Sequence, residues 1–394
     1  MRSGREMTKR RGEQSVARTI LFVVSSLART GPVAVLRGIV DHLDLQEFRP
    51  VIATLSPEGT LSCAGEFDAK KIDRILVPLG RIQAITNGKS RLAQVVRATG
   101  ATIVHGHGFR PDLLISGAKF DAFTVSTIHS ILRDDYCGLS GSIIGRSMAF
   151  VHYRALRSID ASVAVSEMVS RAAESRGVSS RVILNGVDTD RYRPAASPSE
   201  RLIARQKMMA PEGRKVVFYS GRLISRKRPV QMIDAFQRSN MGRHAVLMIA
   251  GEGPLLNQCR LSFGQSDNVR FLGPRPDIPE LLRGADYLIS ASESEGLPMA
   301  LLEACASGVR IIASDIPSHR EIRIMFPKET LLFSIQHRDG LLNALNSLDI
   351  ELEAPQPDRE ALCKISARAM SASYQKIYRE LCARRSRSLC STVP

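Results

Sequence analysis

Residues 287–315 read YLISASESEGLPMALLEACASGVRIIASD, and this stretch decides the fold. It begins with the apolar run Tyr287–Ser290, passes through a polar loop that contains Gly296, and ends in a second apolar run after Gly308. Continuous apolar runs of this length are typical of parallel strands that are buried on both faces. The stretch therefore predicts a strand, a loop, a helix that begins near Met299, and a second strand.

Short apolar runs recur in two series along the chain, and segments with helical periodicity separate them. Strands that alternate with helices form a parallel sheet covered on both faces. A chain of 394 residues has room for two domains of about 150 residues or more. We therefore predict the α/β class, with two facing doubly wound Rossmann-like domains and a cleft between them. The predicted strands are Thr19–Val24, Arg49–Leu55, Ile72–Val77, Ala101–His105, Ala122–Ile128 and Ala161–Val165 in the first series, and Val216–Ser220, Ala245–Ala250, Val269–Leu272, Tyr287–Ser290 and Arg310–Ala313 in the second.

The domain boundary is predicted from composition. Residues 194–199, PAASPS, are typical of a linker, and we expect them to act as a hinge. After the first strand we predict a loop with Gly31 and Pro32, followed by a helix over Val33–His42. The predicted segments are a disordered basic tail (1–18), an N-terminal Rossmann-like domain (19–195), a linker (196–213), a C-terminal Rossmann-like domain (214–356), and a C-terminal helix with a basic tail that packs back toward the first domain (357–394).

The charge of the chain implies an anionic partner. Its 55 Lys and Arg exceed its 39 Asp and Glu, which gives a net charge of +16. Such a surplus suits nucleic acid, a phosphorylated metabolite or an acidic membrane surface. Aromatic residues are only 5% and Trp is absent, so the platforms on which bases stack are scarce and no specific nucleic acid is expected. Peripheral contact with an anionic membrane is a hypothesis from charge alone, and the alternative is that the charge merely keeps the protein in solution.

The cysteines and the apolar runs predict a cytoplasmic location. None of the seven cysteines forms a CxxC pair, so neither a zinc knuckle nor a thioredoxin-type site is indicated. A scattered, odd set in a long chain is typical of reduced thiols. No apolar run approaches the roughly 20 residues that span a bilayer. Within the cytoplasm, the protein could also lie peripherally on the inner face of the cytoplasmic membrane.

Two carboxylates are the first candidate site residues. Glu295 lies in the loop after the strand Tyr287–Ser290, and Glu303 lies about one turn into the following helix. Gly296 allows a ligand to approach the backbone closely, and a helix N-terminus offers N–H groups to phosphate. Two carboxylates at one pocket suit the hydroxyls of two sugars. From the spacing alone, a solvated helix residue and an ordinary loop carboxylate are equally compatible with this pattern.

A basic loop is the second candidate. Arg222 and Lys227 follow the strand Val216–Ser220, in the segment GRLISRKRP. A guanidinium and an ammonium at a strand end neutralise a diphosphate. Arg226 and Arg228 add to the field, and no specific contact is expected of them. Taken alone, such a loop is also consistent with simple solvation.

The remaining candidates also lie at predicted strand ends. Two glycine-containing turns, Gly251-Glu252-Gly253-Pro254 and FLGPRPD at 271–277, follow strands of the second series. His129 follows the strand Ala122–Ile128, and His105 and His107 lie at another strand end. Tight turns and structural histidines are the ordinary alternatives for such residues. No third metal ligand accompanies the two histidines, so no metal site is predicted.

The string E-G-x-P-x-x-x-x-E-A-x-A-x-G-x-x-x-x-x-x-D, which runs from Glu295 through Glu303 to Asp315, resembles the signature of glycosyltransferase family 4. This family comprises retaining enzymes of the GT-B fold, so the resemblance implies a donor-binding second domain and an acceptor-binding first domain. It implies that Glu303 holds the ribose hydroxyls of a nucleotide. It also implies that Glu295, with Gly296 and Leu297 after it, holds the donor sugar.

Other segments are similar to the same family. Arg222 and Lys227 match its G-R-L-x-x-x-K donor loop, whose implied role is to stabilise the leaving nucleoside diphosphate. Gly251 and Gly253 match its G-x-G-P turn beside the donor site. The residues matched to the segment beside the nucleotide base are Gly273 and Arg275.

The first domain matches less closely. His129 matches a T-x-H histidine that contacts the donor sugar in the family. His105 and His107 resemble its V-H-x-H stretch, and the turn at Asn185-Gly186-Val187-Asp188 is a structural match. Many members carry a Gly-Gly pair after the first strand, whereas this chain has only Gly31 there, followed by proline, so one backbone donor to the phosphates is lost.

We therefore predict a retaining glycosyltransferase that moves a hexose from a nucleoside diphosphate sugar to an acceptor hydroxyl, in cell-surface polysaccharide or glycolipid synthesis. No cofactor or metal is expected beyond the donor, because the basic loop supplies the positive charge. The residues expected to act in catalysis are His129, Arg222, Lys227 and Glu295. The residues expected to bind the nucleotide sugar are Gly31, Arg222, Lys227, Gly251, Gly253, Gly273, Arg275, Glu295, Gly296, Leu297 and Glu303.

Three other functions stay open at this point. A catalytically silent partner subunit would keep the donor site, and a nucleotide-sugar epimerase shares the two-domain architecture. A nucleic-acid-binding protein would explain the charge but lacks a recognised motif. The donor base, the sugar, the acceptor and the oligomeric state are not specified by the sequence.

Overall fold

Two parallel sheets, each covered by helices on both faces, make up the computed structural model, which describes residues 17–80, 86–349 and 356–390. The strands of the first sheet are β1 (Arg18–Val24), β2 (Phe48–Thr54), β3 (Asp73–Leu76), β4 (Ala101–His107), β5 (Phe123–Ile128), β6 (Ala161–Ala164) and β7 (Arg181–Val182). The strands of the second sheet are β8 (Lys215–Ser220), β9 (Ala245–Ala250), β10 (Val269–Gly273), β11 (Tyr287–Ser290), β12 (Arg310–Ser314) and β13 (Thr330–Phe333).

The helices between the strands are as follows. In the first half they are α1 (Gly31–Asp41), α2 (Ala64–Ala69), α3 (Gly88–Thr99), α4 (Phe109–Ile115), α5 (Leu132–Ser140), α6 (Ser142–Leu156) and α7 (Glu167–Glu174). In the second half they are α8 (Pro198–Lys207), α9 (Pro229–Arg238), α10 (Met241–His244), α11 (Leu256–Phe263), α12 (Ile278–Leu282), α13 (Met299–Ala306), α14 (Pro317–Met325), α15 (Gly340–Asn346), α16 (Arg359–Lys364) and α17 (Ala367–Cys390).

The strand order places a crevice at the centre of each sheet. The orders are β3-β2-β1-β4-β5-β6-β7 and β10-β9-β8-β11-β12-β13, and the recorded strand pairs are parallel. Helices therefore leave in opposite directions at β1/β4 and at β8/β11, which opens a crevice beyond the carboxyl ends of those strands. The predicted α/β class with two doubly wound domains is confirmed.

Continuous burial explains why the apolar runs became strands. In β1, the residues Ile20–Val24 are at most 2% exposed, and all six residues of β9 are buried. Strands covered on both faces have no polar face, so their sequences do not alternate.

The two domains meet through the loop between β11 and α13. Ser166 Oγ donates to the carbonyl of Gly296 at 3.0 Å, and Asn185 Nδ2 donates to the carbonyl of Leu297 at 2.7 Å. Both side chains belong to the first domain. This loop of the second domain is therefore held directly against the first.

Helix α17 lies against the first domain rather than the second. Ser371 Oγ donates to the carbonyl of Ile39 in α1 at 2.8 Å. Tyr374 and Tyr378 are fully buried in the core cluster that contains β1 residues such as Phe22. The last helix thus completes the core that the first strand begins.

Three local expectations need revision. The expected loop at Gly31 and Pro32 is instead the first turn of α1, because the fixed φ of proline suits that position. The expected linker contains α8, which begins at a capped serine: Ser197 Oγ accepts from the N–H of Glu200 at 3.2 Å. The expected basic tail lies outside the described residues up to position 16, and β1 already begins at Arg18.

Two predictions, reduced cysteines and no membrane-spanning segment, can be compared with the described part of the chain. Cys63, Cys137, Cys259, Cys305 and Cys363 are free thiols. Among the residues that the structure describes, no helix combines the length and the apolar character that crossing a bilayer requires.

Candidate functional site

Glu295 is the centre of a charged cluster at the carboxyl end of β11. Lys227 Nζ donates to one carboxylate oxygen, and Arg226 Nη1 lies 3.3 Å from the other. The Glu295 side chain is only 10% exposed. Burial alone would raise the pKa of this carboxyl, but the two cations outweigh it and lower the pKa to about 2. Glu295 is therefore ionised at neutral pH.

The structure brings one of the two predicted residues of the basic loop to Glu295. Lys227 reaches Glu295, whereas the side chain of Arg222 is exposed. The backbone carbonyl of Arg222 accepts from the hydroxyl of Tyr219 at 2.9 Å and from the N–H of Ile224 at 3.1 Å. Arg226, of which no specific contact was expected, also lies 3.4 Å from Asp135 in α5 of the first domain. The prediction for Arg226 was thus wrong, because this side chain joins the two domains.

The glycines of the second domain bring loops together. Gly251 has a φ of +151°, and a Cβ there would overlap the carbonyl oxygen of Gly221. Gly253 approaches the backbone of Leu223 in the same way. The loop after β9 therefore packs backbone to backbone against the basic loop after β8, which only glycine permits.

The segment after β10 lies at the same sheet edge. The N–H of Gly251 donates to the carbonyl of Gly273 at 2.8 Å, which joins the two turns. Arg275 forms a bidentate pair with Asp277 at 2.8 and 2.6 Å. The Arg275 guanidinium is thus engaged within its own loop, and the backbone of this segment is the part that faces the neighbouring turn.

Gly296 lies directly against the backbone of the first domain. A Cβ at this position would overlap the carbonyl oxygen of His129. The sequence-predicted residues Glu295, Gly296 and Leu297 are therefore brought together with His129 across the cleft. The family resemblance implied that all of these residues contact the donor sugar, and the structure places them next to one another.

A row of three histidines runs from the cleft into the first domain. His129 Nε2 lies 3.0 Å from His107 Nδ1. His105 uses both ring nitrogens, toward the Tyr378 hydroxyl at 2.8 Å and the Thr127 hydroxyl at 2.9 Å. Burial lowers the pKa of His105 and of His129 to about 3, so both are neutral at physiological pH.

The hydrogen bond between His107 and His129 selects one tautomer. His107 Nε2 is buried and has no hydrogen-bond partner among the residues that the structure describes. A proton on that nitrogen would be a buried donor without an acceptor, and such donors are rarer than unpaired acceptors. We therefore assign the His107 proton to Nδ1, which donates to His129 Nε2 and leaves the proton of His129 on Nδ1.

Glu303 occupies a separate environment from Glu295. It lies on α13 and hydrogen-bonds the side chain of Tyr192, beside a pocket that Arg37 and Met299 also line. Burial raises the pKa of Glu303 to about 7, although the bond to Tyr192 and the nearby Arg37 act in the opposite direction. Near neutral pH this carboxyl is therefore present in both protonation states.

Two helix N-termini face each other beside this pocket. A Cβ on Gly31, at the start of α1, would lie 3.8 Å from the side chain of Met299, at the start of α13. The first N–H groups of each helix have no intrahelical acceptor, and both ends carry a partial positive charge. Pro32 removes one of these N–H groups from α1.

Two residues at the domain contact, Glu321 and His319, were not found by sequence reasoning. The Glu321 carboxylate accepts from the backbone N–H of Glu167 at 3.2 Å and of Met168 at 2.9 Å, at the start of α7. This is a further contact between the two domains. His319 is fully buried and donates from Nδ1 to the carbonyl of Ser314 at 2.8 Å. In the described part of the chain, its Nε2 has no hydrogen-bond partner. Only their position, in the segment SDIPSHRE after β12, could have drawn attention to them.

No group of three or more His, Cys, Asp or Glu side chains with a metal-binding arrangement occurs among the described residues.

Each half of the chain matches a family model of glycosyltransferases. Residues 30–191 match the family model described as glycosyltransferase family 4. Residues 200–347 match the model described as glycosyl transferases group 1. Together the two matches cover both domains.

Curated relatives share part of the chain. A UDP-Gal:alpha-D-GlcNAc-diphosphoundecaprenol alpha-1,3-galactosyltransferase from Escherichia coli is 29% identical over 172 residues, which is 42% of this chain and 43% of the relative. The lipopolysaccharide core biosynthesis mannosyltransferase LpsB of Rhizobium meliloti is 26% identical over 230 residues, which is 55% of this chain and 61% of the relative. The chain thus spans about half the length of these two relatives.

Solved structures share the fold over nearly the whole chain. Anabaena HepE in complex with UDP and glucose superposes with a TM-score of 0.74 at 19% identity, covering 91% of this chain and 98% of the other. The glycosyltransferase WaaG, involved in lipopolysaccharide biosynthesis, superposes with a TM-score of 0.66 at 17% identity, covering 90% and 95%.

Proposed function

Because the chain belongs to the family 4 type of GT-B glycosyltransferases, we propose that it transfers a hexose from a nucleoside diphosphate sugar to an acceptor hydroxyl with retention of configuration. The observation that carries this proposal is the cluster of Glu295 with Lys227 and Arg226, which lies opposite His129 at the point where the domains touch. Such a cluster offers an ionised acceptor for sugar hydroxyls and cations for a leaving diphosphate at one place.

The diphosphate would lie between the N-termini of α1 and α13. Its charge grows as the glycosidic bond breaks, so donors already aimed at it stabilise the transition state more than the ground state. Lys227 and Arg226 would add positive charge at this position, and their ion pairs with Glu295 would hold them in place before the donor arrives. Arg222, exposed on the same loop, is free to turn toward the phosphates.

His129 and Glu303 would bind the two sugars of the donor. With its proton on Nδ1, His129 offers a hydrogen-bond donor to a hydroxyl of the hexose beside Glu295. Glu303 would accept hydrogen bonds from the ribose hydroxyls. Its ionised form accepts such bonds with both oxygens and more strongly than the protonated form, so donor binding would strengthen as the pH rises through about 7.

We also propose that the reaction needs no metal ion, because Lys227 and Arg226 supply positive charge at the diphosphate. The test is turnover with EDTA against turnover with added Mg²⁺ or Mn²⁺. Equal rates are expected. Loss of activity with EDTA and its recovery with a metal would contradict this part of the proposal.

The relatives suggest where to begin the search for substrates. One is named for UDP-Gal and a diphosphoundecaprenol-linked acceptor, and another for lipopolysaccharide core synthesis. We therefore propose a role in cell-surface polysaccharide or glycolipid synthesis, at the inner face of the cytoplasmic membrane, with a UDP-hexose as the first donor to test.

The decisive experiment is thermal stabilisation by UDP, GDP, ADP and their hexose derivatives. A ligand at 100 times its Kd adds about 2.7 kcal/mol of stability. One nucleotide series should raise the melting temperature of the wild type and fail to do so for Glu303→Ala. Glu360→Ala is the matched control, because that carboxylate is 80% exposed and does not line the pocket beside Glu303.

The result also separates this proposal from the silent partner subunit. A donor that stabilises the protein but is never turned over, with or without lipid-linked acceptors, would favour the silent subunit. Stabilisation of Glu303→Ala equal to that of the wild type would remove the assigned site. Where turnover occurs, NMR of the product determines whether the anomeric configuration is retained.

A further inference from the structure

The helical hairpin formed by α5 and α6 carries an apolar surface that the fold leaves uncovered. Ile143, Ile144, Phe150 and Val151 expose 84%, 60%, 68% and 45% of their surface. They are four of the eleven large apolar side chains recorded as exposed in the described part of the chain, and they fall within nine residues. Single exposed apolar side chains are ordinary, whereas a contiguous group marks an interaction surface.

Helix α6 cannot rotate to bury this group, because its opposite face is fixed. His152 is 1% exposed and uses both ring nitrogens, toward Asp112 Oδ2 at 2.8 Å and the Tyr136 hydroxyl at 2.6 Å. Asp112 is fully buried on α4 and Tyr136 lies on α5. Turning α6 would break a buried polar network, which is costly. The exposure of Phe150 is therefore built into the fold.

Positive charge lies among the exposed apolar side chains. Helix α6 contains no Asp or Glu, and Arg146 and Arg154 are exposed. Neither arginine has a carboxylate partner recorded among the residues that the structure describes. At about 100° per residue, the six residues occupy an arc of about 160° on one side of the helix. We call this set the hairpin surface: Ile143, Ile144, Arg146, Phe150, Val151 and Arg154.

We propose that the hairpin surface binds an anionic lipid bilayer. Isoleucine and phenylalanine side chains would enter the boundary between headgroups and acyl chains, and the guanidinium groups would remain at the lipid phosphates. The absence of carboxylates on α6 favours an anionic lipid surface over a protein partner, whose patches carry both signs of charge. The net charge of +16 adds long-range attraction to the same surface.

The hairpin surface is connected to the candidate site. Asp135 on α5 lies 3.4 Å from Arg226, and Arg226 lies 3.3 Å from Glu295. The hairpin thus forms part of the wall of the cleft, and α6, with 15 residues, is about 22 Å long. Docking of α6 would bring the cleft close to the membrane. Resting on the proposed function, this implies an acceptor carried by a lipid.

Vesicle flotation of the full chain tests the proposal. The wild type should float with vesicles of phosphatidylcholine and phosphatidylglycerol, and less with phosphatidylcholine alone. The double substitution Ile143→Ser with Phe150→Ser should weaken binding about tenfold or more. Leu261→Ser is the matched control, because Leu261 is 87% exposed on α11 of the other domain, and it should bind as the wild type does.

A second pair of variants tests the charge. Arg146→Glu with Arg154→Glu should remove the preference for phosphatidylglycerol, whereas Arg260→Glu, on α11, should lower it only slightly. A wild type that stays with neither vesicle would overturn the proposal, as would equal losses in the hairpin and control variants.

Two further measurements keep the outcomes distinct. Light scattering would reveal dimers that the Ile143→Ser and Phe150→Ser substitutions abolish, and such dimers without vesicle binding would assign the surface to a second copy and overturn the lipid proposal. The nucleotide melting shift, measured in each variant, reports on the fold and the donor site. If nucleotides do not shift the melting temperature of the wild type, the proposed function is contradicted. Vesicle binding would still support the lipid proposal in that case.

Discussion

Glu303→Gln tests whether burial of one carboxyl makes the stability of the protein depend on pH. Burial raises the pKa of Glu303 from 4.5 to about 7. The folded state then holds the proton more tightly than the unfolded state, so the stabilisation is complete below pH 4.5 and is lost as the pH rises through 7. Glutamine keeps the shape of the side chain and can bond Tyr192, but it cannot ionise.

The size of the effect follows from the shift in pKa. A difference of about 2.5 pKa units corresponds to about 3 kcal/mol, of which about 2.5 kcal/mol is lost between pH 5 and pH 8. For a domain of about 150 residues, 1 kcal/mol moves the melting temperature by about 2–4 °C. The wild type should therefore lose about 5–10 °C relative to Glu303→Gln over this range.

The assay is thermal melting of both proteins without ligand, at intervals from pH 5 to pH 8. Glu360→Gln is the control, because this exposed carboxylate should leave the curve of the wild type unchanged. Tyr192→Phe removes a hydrogen bond that favours the ionised form, so its midpoint should lie at higher pH. Parallel curves for the wild type and Glu303→Gln would refute the reasoning.

Three other substitutions test the cleft. Lys227→Met leaves the buried Glu295 without its nearest cation and should lower kcat by about a hundredfold, with donor melting shifts as the check that the fold persists. Gly296→Ala places a methyl group against the carbonyl of His129, so the domains should separate, which small-angle scattering would record as a larger radius; an unchanged radius would contradict this packing. His107→Phe removes the donor to His129 and should move the His129 proton from Nδ1 toward Nε2, visible in ¹⁵N NMR; an unchanged tautomer would refute the assignment.

The strands were predictable where burial on both faces left no polar residue. The predicted bounds of Ala245–Ala250 and Tyr287–Ser290 agree with β9 and β11. Arg181–Val182 was missed because two residues carry no pattern, and Thr330–Phe333 because a short run among charged neighbours is weak evidence. The composition around Ser197 is typical of a linker. The same serine lies three residues before Glu200, as a helix cap does, and the structure has the helix.

The site was predictable only in part, because the family string identifies which positions belong to the site but not where their side chains point. Among three adjacent basic residues, it is the short 3₁₀ turn over Ser225–Lys227 that orients Arg226 and Lys227 toward Glu295. Arg228 follows in the left-handed conformation, with a φ of +52°, and starts α9. Nothing in the local sequence gives this order. The raised pKa of Glu303 likewise depends on packing against the other domain.

The position of α17 has a consequence for synthesis on the ribosome. Tyr374 and Tyr378 complete the core around β1, yet they are translated about 180 residues after the boundary between the domains. At about 5–20 residues per second, the nascent first domain waits roughly 10–40 s for its last core residues. During that interval its apolar surface is accessible to chaperones, and its core cannot reach its final packing. The second domain can fold in the meantime, so the half that is made first is the half that is finished last.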